Sequence, residues 1–489
     1  MLLVGVAAFL ILSSVARAQE IDWNETAKEA VETLREYIRI DTTVPPGDVR
    51  PSADLLGAIL EREGLKVRRY ESAPGKVNLY ARLESSGEEG SRTAKPILLL
   101  HHMDVVPADA SRWPVDPFGG ELKDGYVWGR GAMDMKGLGT AHLYAFLTLK
   151  RQAVPLDRDV IFMAVADEEV GGQLGARWMI ENHYPELDPE YVLDEGGFGS
   201  RDVYLDGKLV FGISVAEKKI IWLKVRAEGV AGHGSQPHDQ NPNDRLVRAL
   251  ARLLSEPFPT AAIPVLEKLK ATLGPLKENK FTRAIQNSTI SLTTLQSGVG
   301  DPVKVNVIPS VAEATLDCRL LPGTDTEAWL LEIQRRLGDP ELSVEVVYES
   351  DDTIVTPQDT DLYRALEAAI FRHNPGAVVV PTLIPYGTDS NAFRHRGVKS
   401  YGLTPMVLSS EIVASMHSDA ERVPAGELGK GIRIFYEAIK EVVGTEGSGS
   451  TRPGRLFEEL QPRKADHRLR VDVPLLVVQH LPTETTTRR

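Results

Sequence analysis

The stretch ILLLHHMDVVP, residues 97–107, ends an apolar run in two histidines and an aspartate. Four aliphatic residues in a row read as a short apolar strand, one of several that alternate with helices in the pattern of an α/β layered domain. If the chain stays extended through 101–104, side chains alternate. His102 and Asp104 then share one face, and His101 and Met103 take the other. An aspartate two residues beyond a histidine can accept its ring N–H, which fixes the tautomer and turns the other nitrogen towards a metal. His102 is therefore the candidate ligand and Asp104 its orienter. By itself the triplet reads more readily as a hydrogen-bonded surface group at a strand end.

The same form recurs along the chain. VIFMAVADEEVGG, residues 160–172, runs an apolar strand into Asp167, Glu168 and Glu169 and then two glycines. Three adjacent carboxylates repel one another unless cations neutralise them; a solvated acidic loop is the competing reading. YVLDEGG, residues 191–197, is another apolar strand that meets a carboxylate pair. In YVWGRGAMDMKGLG, residues 126–139, Asp134 stands among glycines ahead of a helical pattern, where taken alone a helix N-cap is the favoured account of it. His417 precedes a turn and a last helix in SMHSDAERVP, residues 415–424. Ligands at the carboxyl ends of strands are where α/β sheets build sites. Carboxylates mixed with imidazoles suit zinc, cobalt or manganese rather than calcium or copper.

Around these motifs the pattern alternates. Helices are predicted over 24–38, with Asn24 as cap, and over 52–63, 135–149 and 174–182. Strands are predicted over 77–83, 97–101, 160–166 and 191–193. That is the order of an α/β domain. From about Lys219 the texture changes to strands over 220–227, 288–296, 311–320 and 343–348, with helices over 242–255 and 327–337. Helix and strand alternation returns over 362–373, 377–380 and 426–443. The reading is an α/β domain in two parts, 19–218 and 352–443, interrupted by a smaller α+β domain over 219–351. Residues 444–489 open with GTEGSGSTRPG and read as a linker and tail.

At 489 residues two domains are the default. A formal charge of −13 with no basic patch argues against a nucleic-acid partner. MLLVGVAAFLILSSVARAQE reads as a signal peptide over 1–18, cleaved after Ala18, which predicts a periplasmic or secreted protein. Its start lacks the usual positive charge, so an uncleaved membrane anchor is the alternative. Cys318 is the only cysteine, so no intrachain disulfide forms.

HMDVVP (102–107), GRGAMDMKG (129–137), ADEEVGG (166–172), LDEGG (193–197) and MHSDAERVP (416–424) together resemble the M20 family of di-zinc amidohydrolases and peptidases. The resemblance spans 24–443 and is nearest to the carboxypeptidase S and N-acyl-amino-acid hydrolase branch. It implies a discontinuous di-zinc catalytic domain with a central β-sheet flanked by helices, and an inserted lid or dimerisation domain. One zinc would be held by His102 and Asp194, a second by Glu169 and His417, and Asp134 would bridge them, with cobalt or manganese as alternative metals. Glu168 matches the general base and Asp104 the residue orienting the first histidine, and a cis peptide is implied after Asp134. The resemblance further implies that His233, in GVAGHGSQPHD (229–239), reaches the oxyanion, in many relatives from the partner subunit of a homodimer. Asn306 in VNVIPS and Arg319 in LDCRLLPG would hold the substrate carboxylate, and PYGTDSNAF (385–393) would line the pocket. His238 and Asp389 receive no role. The implied activity is hydrolysis of an amide in a small peptide or N-acyl amino acid, next to a free carboxylate. An aminoacylase with little peptidase activity is the alternative, and a non-catalytic binding protein on the same fold the third reading.

Overall fold

The computed structural model describes residues 20–85, 94–258 and 262–444. The leader read over 1–18, and all but the first residue of the tail read over 444–489, lie outside them. Among the described residues no helix is long and apolar enough to cross a membrane.

An eight-stranded mixed sheet carries the fold, in the order Val67–Ala73, Lys76–Leu83, Val160–Val165, Ile97–His102, Tyr191–Ser200, Lys399–Val407, Val210–Glu217, Val378–Ile384. The α/β class expected from alternation holds. Ile97–His102 is buried along its whole length. Leu98 and Leu100 pack with Met163 and with Met179 of helix Ala176–Leu187, while Ile97 and Leu99 join the core on the opposite face. Each such leucine removed from water contributes about 2 kcal/mol before chain entropy is charged against it. Helices Trp23–Ile38, Gly137–Arg151 and Ala425–Val443 contribute to that second core. The first of these is capped by Asp22, whose Oδ1 accepts the N–H groups of Asn24 and Glu25, both at 3.0 Å. The cap is thus two residues earlier than Asn24.

Strands Val160–Val165, Ile97–His102 and Tyr191–Ser200 lie side by side and parallel. Their continuations point the same way, so three motifs far apart in the chain come together at the carboxyl ends of these strands. Strand Tyr191–Ser200 does not stop before its carboxylates: Asp194, Glu195, Gly196 and Gly197 lie inside it.

A second, antiparallel sheet has the order Thr289–Ser297, Val311–Leu320, Lys219–Glu228, Ser343–Glu349. Helices Pro242–Leu254 and Thr326–Leu337 cover one face, around a separate core that holds Leu223, Val225, Leu250, Cys318 and Ile333. Helices Pro264–Leu273 and Lys280–Gln286, which the sequence reading passed over, pack through Val265, Leu269 and Ile285 into the core of the large sheet. The 219–351 segment therefore divides its packing between both sheets.

Candidate metal centre

At the end of its strand His102 sends Nε2 to within 3.0 Å of Asp134 Oδ1 and 3.9 Å of Glu195 Oε1. Its Nδ1 is 3.0 Å from the backbone carbonyl of Asp104. A carbonyl can only accept, so Nδ1 carries a proton and Nε2 is the nitrogen free to bind. His101 turns into the core instead, with Nε2 3.3 Å from the Tyr37 hydroxyl. Its ring fills the space where a Cβ on Gly139 would stand, 2.2 Å from Cδ2, so a glycine is required there.

Asp104 departs from expectation. Its carboxylate is 3.8 Å from His102 Nδ1, and the closer contact to the ring comes from its own carbonyl. The carboxylate accepts the backbone N–H groups of Glu168 and Glu169, each at 3.2 Å. It thus shapes the turn that presents those two acids. Asp167, in the left-handed region at φ 73°, starts that turn and is tied by a buried ion pair to Lys76 at 3.1 Å.

Asp134 sits in the Ala132–Lys136 turn, whose Asp134–Met135 peptide is cis. Its oxygens are divided: Oδ1 faces His102, and Oδ2 lies 3.0 Å from His417 Nε2. His417 is also 3.4 Å from Glu169 Oε1, a buried oxygen with no hydrogen-bond donor among the described residues. The turn is held by Glu421, fully buried, which accepts the N–H groups of Gly131, Met133 and Asp134 at 2.8–3.1 Å and pairs with Arg130. Sequence reasoning missed this residue, although Glu421 stands in the MHSDAERVP motif and Arg130 in GRGAMDMKG.

Two triads result, His102–Asp134–Glu195 and Asp134–Glu169–His417, each with ligand atoms within 4.8 Å of one another. Asp194, expected as the ligand beside His102, is not in either. Its Oδ2 accepts the Ser390 hydroxyl at 2.8 Å. The cause is a bulge. Gly402 pairs with Asp194, but Leu403 already pairs with Gly197, so Glu195 and Gly196 are extra residues on their strand. A bulge of this kind re-aims a side chain, and it brings Glu195 to the centre.

The donor set fits two divalent cations. Tetrahedral zinc with bonds near 2.0–2.1 Å spaces its ligands about 3.3 Å apart, and the contacts here, 3.0–3.9 Å, bracket that value. The electrostatics agree. Burial pushes the carboxyls of Glu168 and Glu195 well above the carboxylate range, and neighbouring acids reinforce it. Burial works against charging His417, but Asp134 and Glu169 lift it to about 10. Protons thus offset a surplus of negative charge that metal ions would neutralise.

The centre opens into a cavity of about 430 Å³ lined by Asp134, Glu168, Glu195, His417 and Arg319. Arg319 spends one edge of its guanidinium on Asp317, through Nε at 2.7 Å and Nη2 at 3.1 Å. One wall, residues 386–392, is pinned by buried Glu217, which accepts the Thr388 N–H and hydroxyl at 3.0 and 2.7 Å and pairs with Arg394 at 2.7 Å. His233 and Asn306 do not reach this cavity within the chain. Both are exposed: His233 Nδ1 meets the Ser235 hydroxyl at 2.8 Å, and the Asn306 carbonyl accepts the Gly234 N–H at 2.7 Å. Within one chain, neither is among the residues that line the cavity.

The family model described as Peptidase family M20/M25/M40 matches residues 98–441. Aminoacylase-1 of Sus scrofa is 28% identical over 415 residues, which covers 84% of this chain and 94% of that protein. A probable carboxypeptidase S-like 2 of Dictyostelium discoideum is 27% identical over 71% of each chain. Among solved structures, an M20 family metallo-carboxypeptidase from Sulfolobus solfataricus superposes with a TM-score of 0.65 at 20% identity, covering 84% of this chain and 98% of the other.

Proposed function

The chain belongs to peptidase family M20/M25/M40, whose members are hydrolases of amide bonds, and from that premise we propose that it is a two-zinc hydrolase cutting small peptides or N-acyl amino acids at the amide next to a free carboxylate. The observation that carries the reading is the divided carboxylate of Asp134, shared by two metal-ligand triads with Glu168 beside them in the same cavity. When bound, two such cations supply Lewis acidity, lowering the pKa of the attacking water and polarising the scissile carbonyl. Glu168, beside the triads but in neither, takes the water's proton during attack and delivers it to the leaving nitrogen. The guanidinium edge that Arg319 leaves unused offers donors to the substrate carboxylate. The likeness to aminoacylase-1 over 94% of that protein supports N-acyl amino acids as the preferred substrates.

A panel of dipeptides and N-acyl amino acids, each as free acid and as carboxamide, tests this. The zinc-loaded protein is expected to cleave the acids and, after chelation, to cleave nothing until zinc is restored. Arg319→Met should raise KM for the acids about tenfold and leave the amides unchanged, the loss typical of one charge-assisted hydrogen bond. Equal rates on acids and amides would remove Arg319 from the argument.

His233 and Asn306 support a second step of the proposal, a homodimer in which each chain completes its partner's site. The outer strand Thr289–Ser297 carries Leu292 and Leu295 exposed at 40% and 55%, an edge open to pairing. His233→Ala and Glu168→Gln proteins, each inactive alone, should recover about a quarter of wild-type activity after subunit exchange. Half the dimers are then mixed, and each holds one intact site. No recovery would confine the site to one chain.

A further inference from the structure

The outward face of the second sheet changes character along its length. In strand Lys219–Glu228, Ile221, Leu223, Val225 and Ala227 enter the core, and the alternate residues face away from it. Far from the metal centre those outward positions are ion-paired: Lys224 with Glu345 at 3.9 Å, and Arg226 with Glu313 at 2.8 Å. Over the cavity they are apolar. Trp222 is 43% exposed and is in register with Tyr348 on the neighbouring strand, their ring centroids 4.8 Å apart. Both rings line the cavity that holds Glu168 and Asp134. The Tyr348 hydroxyl hangs above the acidic turn, 3.8 Å from where a Gly171 Cβ would stand, and Val170 beneath it is 55% exposed.

An exposed Trp–Tyr contact, its rings tilted by 40°, on an otherwise polar and charged sheet face is a cost in water unless something apolar covers it. Here the covering group must share a cavity with the reacting amide. Its place relative to the carboxylate follows from register: Arg319 is opposite Ile220 and Asp317 opposite Trp222. Trp222 is therefore a diagonal neighbour of Arg319, at a spacing of about 7–8 Å. That is the reach from a carboxylate to the far part of a large side chain on the same residue.

We infer that Trp222 and Tyr348 form a specificity wall for the amino acid that bears the free carboxylate, selecting a large apolar side chain, aromatic or branched aliphatic. This deepens the amide-hydrolase reading and rests on it. With zinc-loaded protein, kcat/KM for N-acetyl-phenylalanine should exceed that for N-acetyl-alanine by about tenfold or more, the order that aromatic stacking and burial supply. Trp222→Ala should erase most of that ratio while N-acetyl-alanine stays within about twofold, and Trp222→Phe should keep it. Trp222 lies outside the second sheet's core, so these variants should fold, and an unshifted melting temperature checks it. Equal losses on both substrates would overturn the inference. So would a size preference confined to the acyl group, read by comparing N-acetyl-glycine with N-octanoyl-glycine. The same two phenylalanine and alanine ligands are to be titrated by calorimetry into zinc-loaded Glu168→Gln protein with and without Trp222→Ala. If the wild type hydrolyses neither, the hydrolase reading fails separately, and a Trp222-dependent affinity difference still supports the wall while its absence overturns it.

Discussion

Glu168→Gln is expected to lower kcat by about two to four orders of magnitude, the span that general acid–base catalysis supplies, while the protein still binds two metal ions. Glu168 is in neither ligand triad; its Oε2 is 3.9 Å from His102 Nε2. Glutamine keeps the side chain's volume but cannot accept the water's proton. The turn that presents it depends on backbone groups, with the N–H groups of Glu168 and Glu169 on Asp104 and the Asp167–Lys76 pair below them, and none of these changes. Burial, together with Asp389 and Glu169, is what holds this carboxyl above the ordinary range, although His102 pulls it down. Metal content by mass spectrometry, read beside turnover on the best substrate, separates the two functions. Unchanged turnover with two metals bound would remove Glu168 as the base. A wild type that binds two metals and hydrolyses nothing would favour a binding protein on this scaffold.

What the sequence made legible was whatever alternation and local chemistry determine. Strand parity separates His102 from His101, and the Asp167-Glu168-Glu169 run implies a charge that must be neutralised. The α/β class follows from alternating apolar runs. The choice between Asp194 and Glu195 was not legible, because it depends on a bulge: Glu195 and Gly196 are extra relative to the neighbouring strand, and local alternation does not say which side chain such a bulge turns to the site. The contact of Asp104 was misread for a related reason. Once the chain leaves the strand at His102, period-two alternation no longer says which oxygen meets the ring. Glu421 was missed because a carboxylate that accepts three backbone N–H groups leaves no local pattern; only the fold shows that residues 131–134 come to it. Trp222 reads in the sequence as one more strand aromatic, and its position over the cavity is a tertiary fact.

Asp134→Asn is expected to reduce bound metal from two ions to fewer than one and to abolish hydrolysis. The wild-type carboxylate offers one oxygen to each histidine, 3.0 Å from both nitrogens. An amide has a single oxygen, so one side of the pair would confront an NH2 group that cannot bind a cation. The substitution also removes a buried negative charge that would offset the charge of the two cations. The contrast with the strand pair gives the test its resolution. Glu195→Gln removes a ligand from the His102 triad only, so about one ion should remain on Glu169 and His417. Asp194→Asn should keep two, because an amide oxygen can still accept the Ser390 hydroxyl. Metals that bind only the folded chain stabilise it by mass action, so zinc should raise the melting temperature of wild type and Asp194→Asn, less so for Glu195→Gln, and barely for Asp134→Asn. Two ions retained in Asp134→Asn would show that this carboxylate is not shared. The same retention in Glu195→Gln, with loss in Asp194→Asn, would return the ligand role to Asp194 and require the strand to run through 195–196 without its bulge.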